Sequence, residues 1–191
     1  ERACTFAEVR DALSKEFPEV DERMMGYFAR TSIPLVMAPD SSEFGFAGSR
    51  FVSAESWLSR GVDTQLRIED LVLRYLAAFG PASVTDAQTW SYLTKLAPVF
   101  EKLRPRLVVF RDERKRELFD LPEAPRPQED TPVPVRFLPA FDNVLLAHAE
   151  RSRIIADEHR TRVSLKNLQI LPTFLVDGFV AGTWDVALQR K

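Results

Sequence analysis

Apolar residues in the stretch from Leu66 to Leu121 follow first a helical period and then the two-residue period of strands. The first helical stripe consists of Ile68, Leu71, Val72, Tyr75, Leu76 and Phe79. Spacings of three, four and seven residues put these side chains on one face of a helix. Gly80-Pro81 is expected to end this helix, because proline cannot continue one.

Two shorter helices are predicted next. Thr85 and Gln88 form a T-x-x-Q capping box, which indicates the start of a second helix that continues through Leu93. Thr94 is a candidate cap for a third helix, and Pro105 is expected to end it. The apolar residues of the third helix, which share one face, are Leu96, Val99, Phe100 and Leu103.

After the third helix the pattern favours strands. Residues 107–110 and 117–121 are rich in valine, leucine and phenylalanine, and the polar residues 112–115 are expected to form the turn between them. Three helices followed by a hairpin is the order of a winged helix-turn-helix. Residues 66–121 are therefore predicted to form such a domain.

The first sixty residues repeat this order with one helix fewer. Thr5 and Glu8 form a T-x-x-E capping box that opens one helix. The second helix is predicted from Val20, Met24, Tyr27 and Phe28. A strand at 33–37 is expected to pair with a return strand built from 44–46 and 50–52. Residues 1–60 are thus predicted to be a winged helix whose first helix lies upstream, which suggests a chain cut from a longer protein.

The remainder of the chain contains a linker and a β-rich unit. Residues 122–134 hold five prolines, a composition typical of an extended linker. Residues 135–191 are predicted to form a small β-barrel or sheet, closed by a hairpin with a type I′ turn at Asp177-Gly178. Because this hairpin is apolar on both faces, we expect both to be covered. The predicted fold class is α+β, with tandem winged helix-turn-helix domains and this C-terminal unit.

Composition limits the classes of function. The chain has 191 residues and a net charge of −2, so binding to nucleic acid requires a local basic patch. Cys4 is the single cysteine, which excludes an internal disulfide. His148 and His159 lack neighbouring cysteines, so we expect neither a metal nor another cofactor. No apolar run is long enough to cross a bilayer, and the expected location is the cytoplasm. Nothing in the sequence indicates an oligomeric state.

Four stretches carry a family resemblance. They are RYLAAFGPAS (74–83), VRFLPAFDNVLLAHAERS (135–152), HRTRV (159–163) and ILPTFLVDGFVAGTW (170–184). Together they resemble the bacterial winged-helix family that includes the alkylpurine and crosslink-unhooking DNA glycosylases. The resemblance covers residues 66–190 well and residues 1–60 by general pattern, so the chain is similar to the C-terminal portion of such a protein. It implies tandem winged helices, a C-terminal β-barrel and a partner that is DNA.

The family's excision chemistry is not found in these residues. In the family it depends on a Gln-x-Gln or Gln-x-Asp motif in the N-terminal portion. The glutamines here are Gln65, Gln88, Gln128, Gln169 and Gln189. Gln128 has an aspartate two positions on, but it lies in the proline-rich linker, where nothing is expected to hold it against a flipped base. We therefore assign no catalytic residue, and whether the protein is an enzyme depends on an upstream domain.

A basic patch is the remaining candidate site. Residues 104–116 contain six basic and two acidic side chains. The predicted DNA-contacting residues of the third helix and wing are Lys95, Lys102, Arg104, Arg106, Arg111, Arg114, Lys115 and Arg116. A second candidate phosphate patch contains Arg151, Arg153, Arg160 and Arg162. Such side chains give salt-dependent, sequence-independent affinity for phosphates.

Three functions follow from these observations. The main interpretation is a winged-helix protein that contacts duplex DNA through its third helix and wing. The first alternative is the non-catalytic C-terminal part of a DNA glycosylase that acts in alkylation or crosslink repair. The second alternative is a winged helix that binds other proteins, in which the surroundings of the wing are too acidic for it to bind DNA. A solvated hairpin tip without a ligand is the plain structural explanation of the basic run.

Overall fold

The computed structural model describes residues 2–39, 50–63, 65–166 and 169–187. The chain forms two compact units, Glu1–Gln65 and Leu66–Lys191. Both combine helices with small antiparallel sheets. None of the helices in these ranges is long and apolar enough to span a membrane.

The N-terminal unit contains two longer helices, a hairpin and a short helix. They are α1 (Phe6–Glu16), α2 (Glu22–Ser32), β1 (Leu35–Ala38), β2 (Arg50–Ser53) and α3 (Ala54–Leu58). The predicted capping box is confirmed, since Thr5 and Glu8 exchange hydrogen bonds at the start of α1. The strand at 33–37 is shifted to β1, and the return strand is confirmed at its 50–52 part. Its 44–46 part lies outside the described residues, and α3 was not predicted.

The apolar stripe of α2 is not buried as its spacing predicted. Met24, Tyr27 and Phe28 are between 63% and 68% exposed. Met25 and Ala29, on another side of the same helix, are the buried residues. The periodicity thus located the helix correctly but indicated the wrong face for the core.

The second unit begins with three helices and a hairpin. The elements of residues 66–121 are α4 (Ile68–Phe79), α5 (Val84–Ser91), α6 (Ala97–Leu103), a 3-10 turn (Arg104–Arg106), β3 (Val108–Arg111) and β4 (Glu117–Asp120). Its core is built from the predicted stripes and one face of β4. The largest fully buried apolar residues are Tyr75, Phe100, Phe119, Leu76, Leu96 and Val72.

Two predicted helix starts in this unit are wrong. Ser83 caps α5 in a capping box with Asp86, two positions before the predicted Thr85 and Gln88 pair. The third helix, α6, begins after Leu96, so Thr94 is not its N-cap. The Gln88 side chain instead accepts the Leu96 N–H at 3.0 Å, which joins α5 to the start of α6.

A three-stranded sheet follows in the C-terminal part. Its elements are β5 (Arg136–Leu138), α7 (Asn143–Leu146), the unpredicted α8 (Asp157–Val163), β6 (Thr173–Val176) and β7 (Phe179–Thr183). The predicted turn is confirmed, because Asp177 and Gly178 have φ of 48° and 81°. The strands are ordered β5-β6-β7, and within the described residues they do not close into a barrel. Nor is the hairpin covered on both faces, since Phe179 is 53% exposed.

The proline-rich residues 122–134 contain no helix or strand. They are nevertheless fixed at one point to the preceding hairpin. Arg126 donates to the buried carboxylate of Asp120 at 3.0 Å and to the Leu121 carbonyl at 2.6 Å. Its guanidinium also lies 5.4 Å from the centre of the Phe110 ring. The first part of this segment therefore packs against the hairpin.

Candidate nucleic-acid interface

Seven of the eight predicted DNA-contacting cations lie on α6, the 3-10 turn and the hairpin 108–120. Lys95, predicted on the third helix, lies instead in the loop before α6, which begins at Ala97. Five of the eight have a carboxylate partner. These five are Lys102, Arg104, Arg111, Arg114 and Arg116. The basic run of the sequence is therefore largely neutralised in the folded chain.

Arg104 is the most firmly held of these cations. It donates to Glu101 through two nitrogens at 2.8 and 2.7 Å and to Glu117 at 2.6 Å. Its guanidinium lies 5.1 Å from the centre of the Phe119 ring. The hydrogen bonds to Glu101 and Glu117 raise the pKa of Arg104. This arginine joins α6 to β4, so its first role is structural.

Two other cations pair with carboxylates on neighbouring elements. Lys102 on α6 pairs with Glu69 on α4, and this hydrogen bond lowers the pKa of Glu69. Arg111 lies 3.9 Å from Glu117 and is 73% exposed, so that contact is loose.

The turn of the hairpin, residues 112–116, is named here the basic turn. Asp112 accepts the backbone N–H of Arg116 at 2.8 Å and its side-chain Nε at 2.7 Å. Burial acts to raise the pKa of Asp112, but these bonds hold it below its usual value. Arg114 reaches out of the turn to Glu150, with 2.7 Å between Nη1 and Oε2. The basic turn thus contains one internal ion pair, between Asp112 and Arg116, and a second ion pair connects Arg114 to Glu150.

Three of the eight cations have no salt bridge in the described part of the chain. They are Lys95, Arg106 and Lys115, and all three are exposed. Lys95 and Lys115 have left-handed backbones, with φ of 60° and 62°. These side chains are free to meet an external anion.

The four arginines of the second predicted patch have different partners. Arg160 pairs with Asp157, and Arg162 lines a cavity of about 240 Å³ beside β7. Arg151 is half-buried, and burial lowers its pKa, with nearby Arg160 acting in the same direction. Arg153 lines a cleft together with residues of the basic turn. A shared phosphate-binding role for the four stays a prediction.

Residues 147–153, named here the docking segment, hold the C-terminal part against α4 and α5. The Tyr75 hydroxyl donates to the Ala147 carbonyl at 2.7 Å. The Phe79 carbonyl accepts from Nε2 of His148 at 2.9 Å. Arg153 donates to the Pro81 carbonyl at 2.9 Å.

Asp86 completes this docking contact. Its Oδ1 accepts the backbone N–H groups of Ala149 and Glu150 at 2.9 and 3.2 Å. Its Oδ2 accepts the N–H and hydroxyl of Ser83 at 2.9 and 2.7 Å. Burial acts to raise the pKa of Asp86, but these donors hold it below the usual value. One buried carboxylate therefore caps α5 and binds the docking segment.

The sequence predictions missed the residues that organise this region. The sequence analysis did not single out Asp86, Glu150 or Arg126. Asp86 and Glu150 join segments that are distant along the chain, and Arg126 holds the irregular segment against the hairpin. The S-x-x-D spacing of Ser83 and Asp86 was the available signal for the first. No comparable signal exists for Glu150, which lies 36 residues from Arg114.

The described residues contain no cluster of three or more side chains suited to hold a metal ion. Gln128 and Asp130, the only glutamine and aspartate pair at the family's spacing, are exposed in the irregular segment. The described part of the second unit presents three exposed cations without a salt bridge beside five that are paired with carboxylates.

Comparisons with known proteins relate the chain to DNA glycosylases. The family model described as DNA glycosylase AlkZ-like matches residues 1–191. The match thus includes the first sixty residues, where the motifs gave only a general pattern. A relative from Streptomyces sahachiroi, described as an interstrand DNA cross-link repair glycosylase, is 30% identical over 128 residues, which are 63% of this chain and 34% of that protein.

A solved structure shares the fold. The Streptomyces sahachiroi DNA glycosylase AlkZ matches with a TM-score of 0.62 at 23% identity, over 93% of this chain and 53% of that one. The chain therefore spans about a third of the first relative's length and about half of the solved one.

Proposed function

This chain belongs to the AlkZ-like DNA glycosylase family, and on that premise we propose that it is the duplex-binding part of a DNA-repair protein. The observation that carries the proposal is the family match over residues 1–191. The relative named for interstrand crosslink repair supports crosslinked or alkylated duplex as the substrate class. A bacterial cytoplasm, where such DNA is found, is the matching location.

The proposed contact surface is formed by the exposed cations of the second unit. We propose that residues 66–121 act as a winged helix, with α6 and the hairpin 108–120 against DNA, and that residues 1–60 are a second winged helix. Lys95, Arg106 and Lys115 support this because no carboxylate neutralises them in the described part of the chain. Exposed lysines and arginines release counterions from DNA when they meet phosphates. Lys102 and Arg104 are weaker candidates because they already join packed elements.

We propose further that this chain by itself excises no base. Breaking a glycosidic bond requires groups that position water and stabilise the developing positive charge on the sugar. The family's glutamine motif is the candidate for that role, and these 191 residues do not contain it outside the proline-rich segment.

The surface can be tested with two triple variants of equal charge change. Lys95→Gln/Arg106→Gln/Lys115→Gln should weaken binding of a labelled duplex by at least about tenfold and lower the salt slope by about 2 to 3. The control, Lys15→Gln/Arg136→Gln/Lys166→Gln, alters exposed cations outside the proposed surface. Fluorescence anisotropy at several salt concentrations measures both. Equal losses in the two variants would show that only net charge matters.

The excision half needs a separate assay. Incubation with alkylated and with crosslinked duplex, followed by chromatography of released bases, should give no product above the protein-free control. Released base would place an active site within these residues.

A protein-binding role is the second candidate. It is favoured by the ion pairs that neutralise five of the eight predicted cations. Binding to duplex that is undetectable or insensitive to salt would support it over the DNA-binding proposal.

A further inference from the structure

The basic turn and the docking segment enclose a cleft of about 400 Å³. Three of its lining residues are basic, and three are acidic: Arg114, Arg116 and Arg153, and Asp112, Glu113 and Glu150. The first two come from the predicted wing and the third from the second predicted patch. Two basic regions that are separate in sequence therefore meet around one cavity.

Two carboxylates pair with the arginines of this cleft: Asp112 binds Arg116 at 2.7 Å, and Glu150 pairs with Arg114. Oε2 of Glu150 lies 2.7 Å from Arg114 and 3.9 Å from Arg116. Its other oxygen accepts the backbone N–H of Ser152 at 3.1 Å. Two guanidiniums and a backbone N–H directed at one anion form a donor set that is typical of phosphate recognition.

The Glu150 side chain is placed so that it can leave while the backbone stays. Its main-chain N–H is bound to buried Asp86, which fixes the position of residue 150. Its arginine partners are 65% and 40% exposed, and ion pairs at such exposure are weak and readily exchanged. A phosphodiester carries the same single negative charge as the carboxylate. Replacement of one by the other therefore leaves the charge inside the cleft unchanged.

We propose, on the basis of the duplex-binding function above, that this cleft binds one phosphodiester of the DNA backbone and that Glu150 fills it in the free protein. Binding of DNA then requires Arg114 to exchange the Glu150 carboxylate for the phosphate, while Arg116 stays paired with Asp112. Glu150 acts as an internal competitor that lowers affinity for DNA until the two surfaces align. Arg104 differs, because its two carboxylate partners and the Phe119 ring hold it within the fold.

The proposal predicts that removing the competitor strengthens binding. Glu150→Gln keeps the shape and the acceptor for Ser152 but loses the charge, and it should tighten binding of a labelled duplex by roughly three- to tenfold. Arg114→Gln should weaken binding and lower the salt slope by about 1, because one phosphate contact is lost. In the Arg114→Gln background, Glu150→Gln should bring little further gain, since the cation it would release is absent.

Glu129→Gln is the matched control, because it removes the same charge from an exposed position that does not line the cleft. Glu129 forms no ion pair in the described part of the chain, so a gain below twofold is expected. Thermal melts of all variants show whether each is folded. An equal gain in Glu129→Gln, or a full gain in the double variant, would overturn the proposal and leave general electrostatics as the explanation.

The duplex-binding function and the cleft assignment can be contradicted by different results. If the wild-type chain and every variant fail to bind duplex, the proposed function is wrong and the cleft assignment is lost with it. If the wild type binds with a clear salt dependence but Glu150→Gln and Arg114→Gln bind equally well, only the cleft assignment is wrong.

Discussion

The docking contact and the basic turn use similar polar groups in opposite surroundings. Asp86 is 2% exposed and accepts four hydrogen bonds, three of them from backbone N–H groups. Arg114 is 65% exposed and holds one carboxylate. A buried polar group whose donors are all matched fixes a structure, whereas an exposed ion pair contributes little and can be exchanged. Burial therefore separates the residues that build the support from those that can meet a ligand.

The comparison also explains where the family motifs lie. The RYLAAFGPAS stretch supplies Tyr75 and the Phe79 carbonyl, and the stretch ending in AHAERS supplies their partners in the docking segment. The motifs that indicated the family meet each other in the fold. The two motifs form a structural contact between α4 and the docking segment.

The largest effect is expected at Asp86. Asp86→Ala leaves the buried N–H groups of Ala149 and Glu150 without an acceptor and removes one half of the capping box, while Ser83 still caps α5. It should lower the free energy of unfolding by about 3 kcal/mol. Urea titration followed by circular dichroism measures the change. The control Asp112→Ala, in the basic turn, should cost about 1 kcal/mol or less. Equal losses would remove the distinction between the two regions.

Tyr75→Phe should have a smaller effect on the same contact. Loss of the hydroxyl leaves the Ala147 carbonyl without its 2.7 Å donor, which should cost about 1 kcal/mol in the same titration. Tyr27→Phe is the control, because Tyr27 is 67% exposed. A neutral result at Tyr75 would show that the hydroxyl does not hold the docking segment.

The docking contact should also depend on pH through His148. Burial lowers the pKa of His148, nearby Arg153 and Arg151 act in the same direction, and the Phe79 carbonyl and Asp86 oppose them. The folded protein then takes up this proton less readily than the unfolded chain. Stability should therefore fall as the pH drops below about 6.5, the ordinary histidine value.

His148→Gln isolates this contribution, since it cannot titrate but can still donate to Phe79. Its unfolding free energy should change less between pH 7.5 and 5.5 than that of the wild type. The loss expected from Asp86 is separate, because its lowered pKa preserves the carboxylate until the pH falls below about 3.8. Parallel curves for variant and wild type would exclude His148 as the source.

The smallest effect on stability is expected in the basic turn. Arg114→Gln should change the free energy of unfolding by less than about 0.5 kcal/mol, because its ion pair is exposed. The same urea titration tests it, beside the binding measurement described above. A loss above about 1 kcal/mol would show that the pair with Glu150 supports the fold and is not readily exchanged.

The regular elements were largely predictable because their signals are local. The stripe from Ile68 to Phe79 gave α4 with its observed bounds, and Asp177-Gly178 gave the hairpin turn. The start of α5 shows the limit of such signals. Ser83 with Asp86 and Thr85 with Gln88 both fit a capping box, and Asp86 gains additional donors from residues more than sixty positions away. Tertiary contacts therefore selected the first pair.

The site was less predictable than the fold, because charge composition does not show which charges are paired. The run from Arg104 to Arg116 has a local excess of four positive charges. In the structure, Glu101 and Glu117 neutralise Arg104 from neighbouring elements, and Glu150 reaches Arg114 from the docking segment. The exposed apolar stripe of α2 was also mispredicted because the sequence does not show tertiary contacts. Helical spacing shows which residues share a face, but it does not show whether that face packs against another element.

The irregular residues 122–134 have a consequence for how this unit is held together. They are the covalent connection between the hairpin 108–120 and the C-terminal sheet, yet Tyr75, Phe79 and Asp86 hold the docking segment across that connection. Residues 122–134 thus connect the two parts covalently, whereas the docking contact holds them together noncovalently. A cut or an insertion after Pro127 would leave Arg126 and the docking contact in place. This segment is accordingly a natural place to split the protein, with the two pieces associating as a complex.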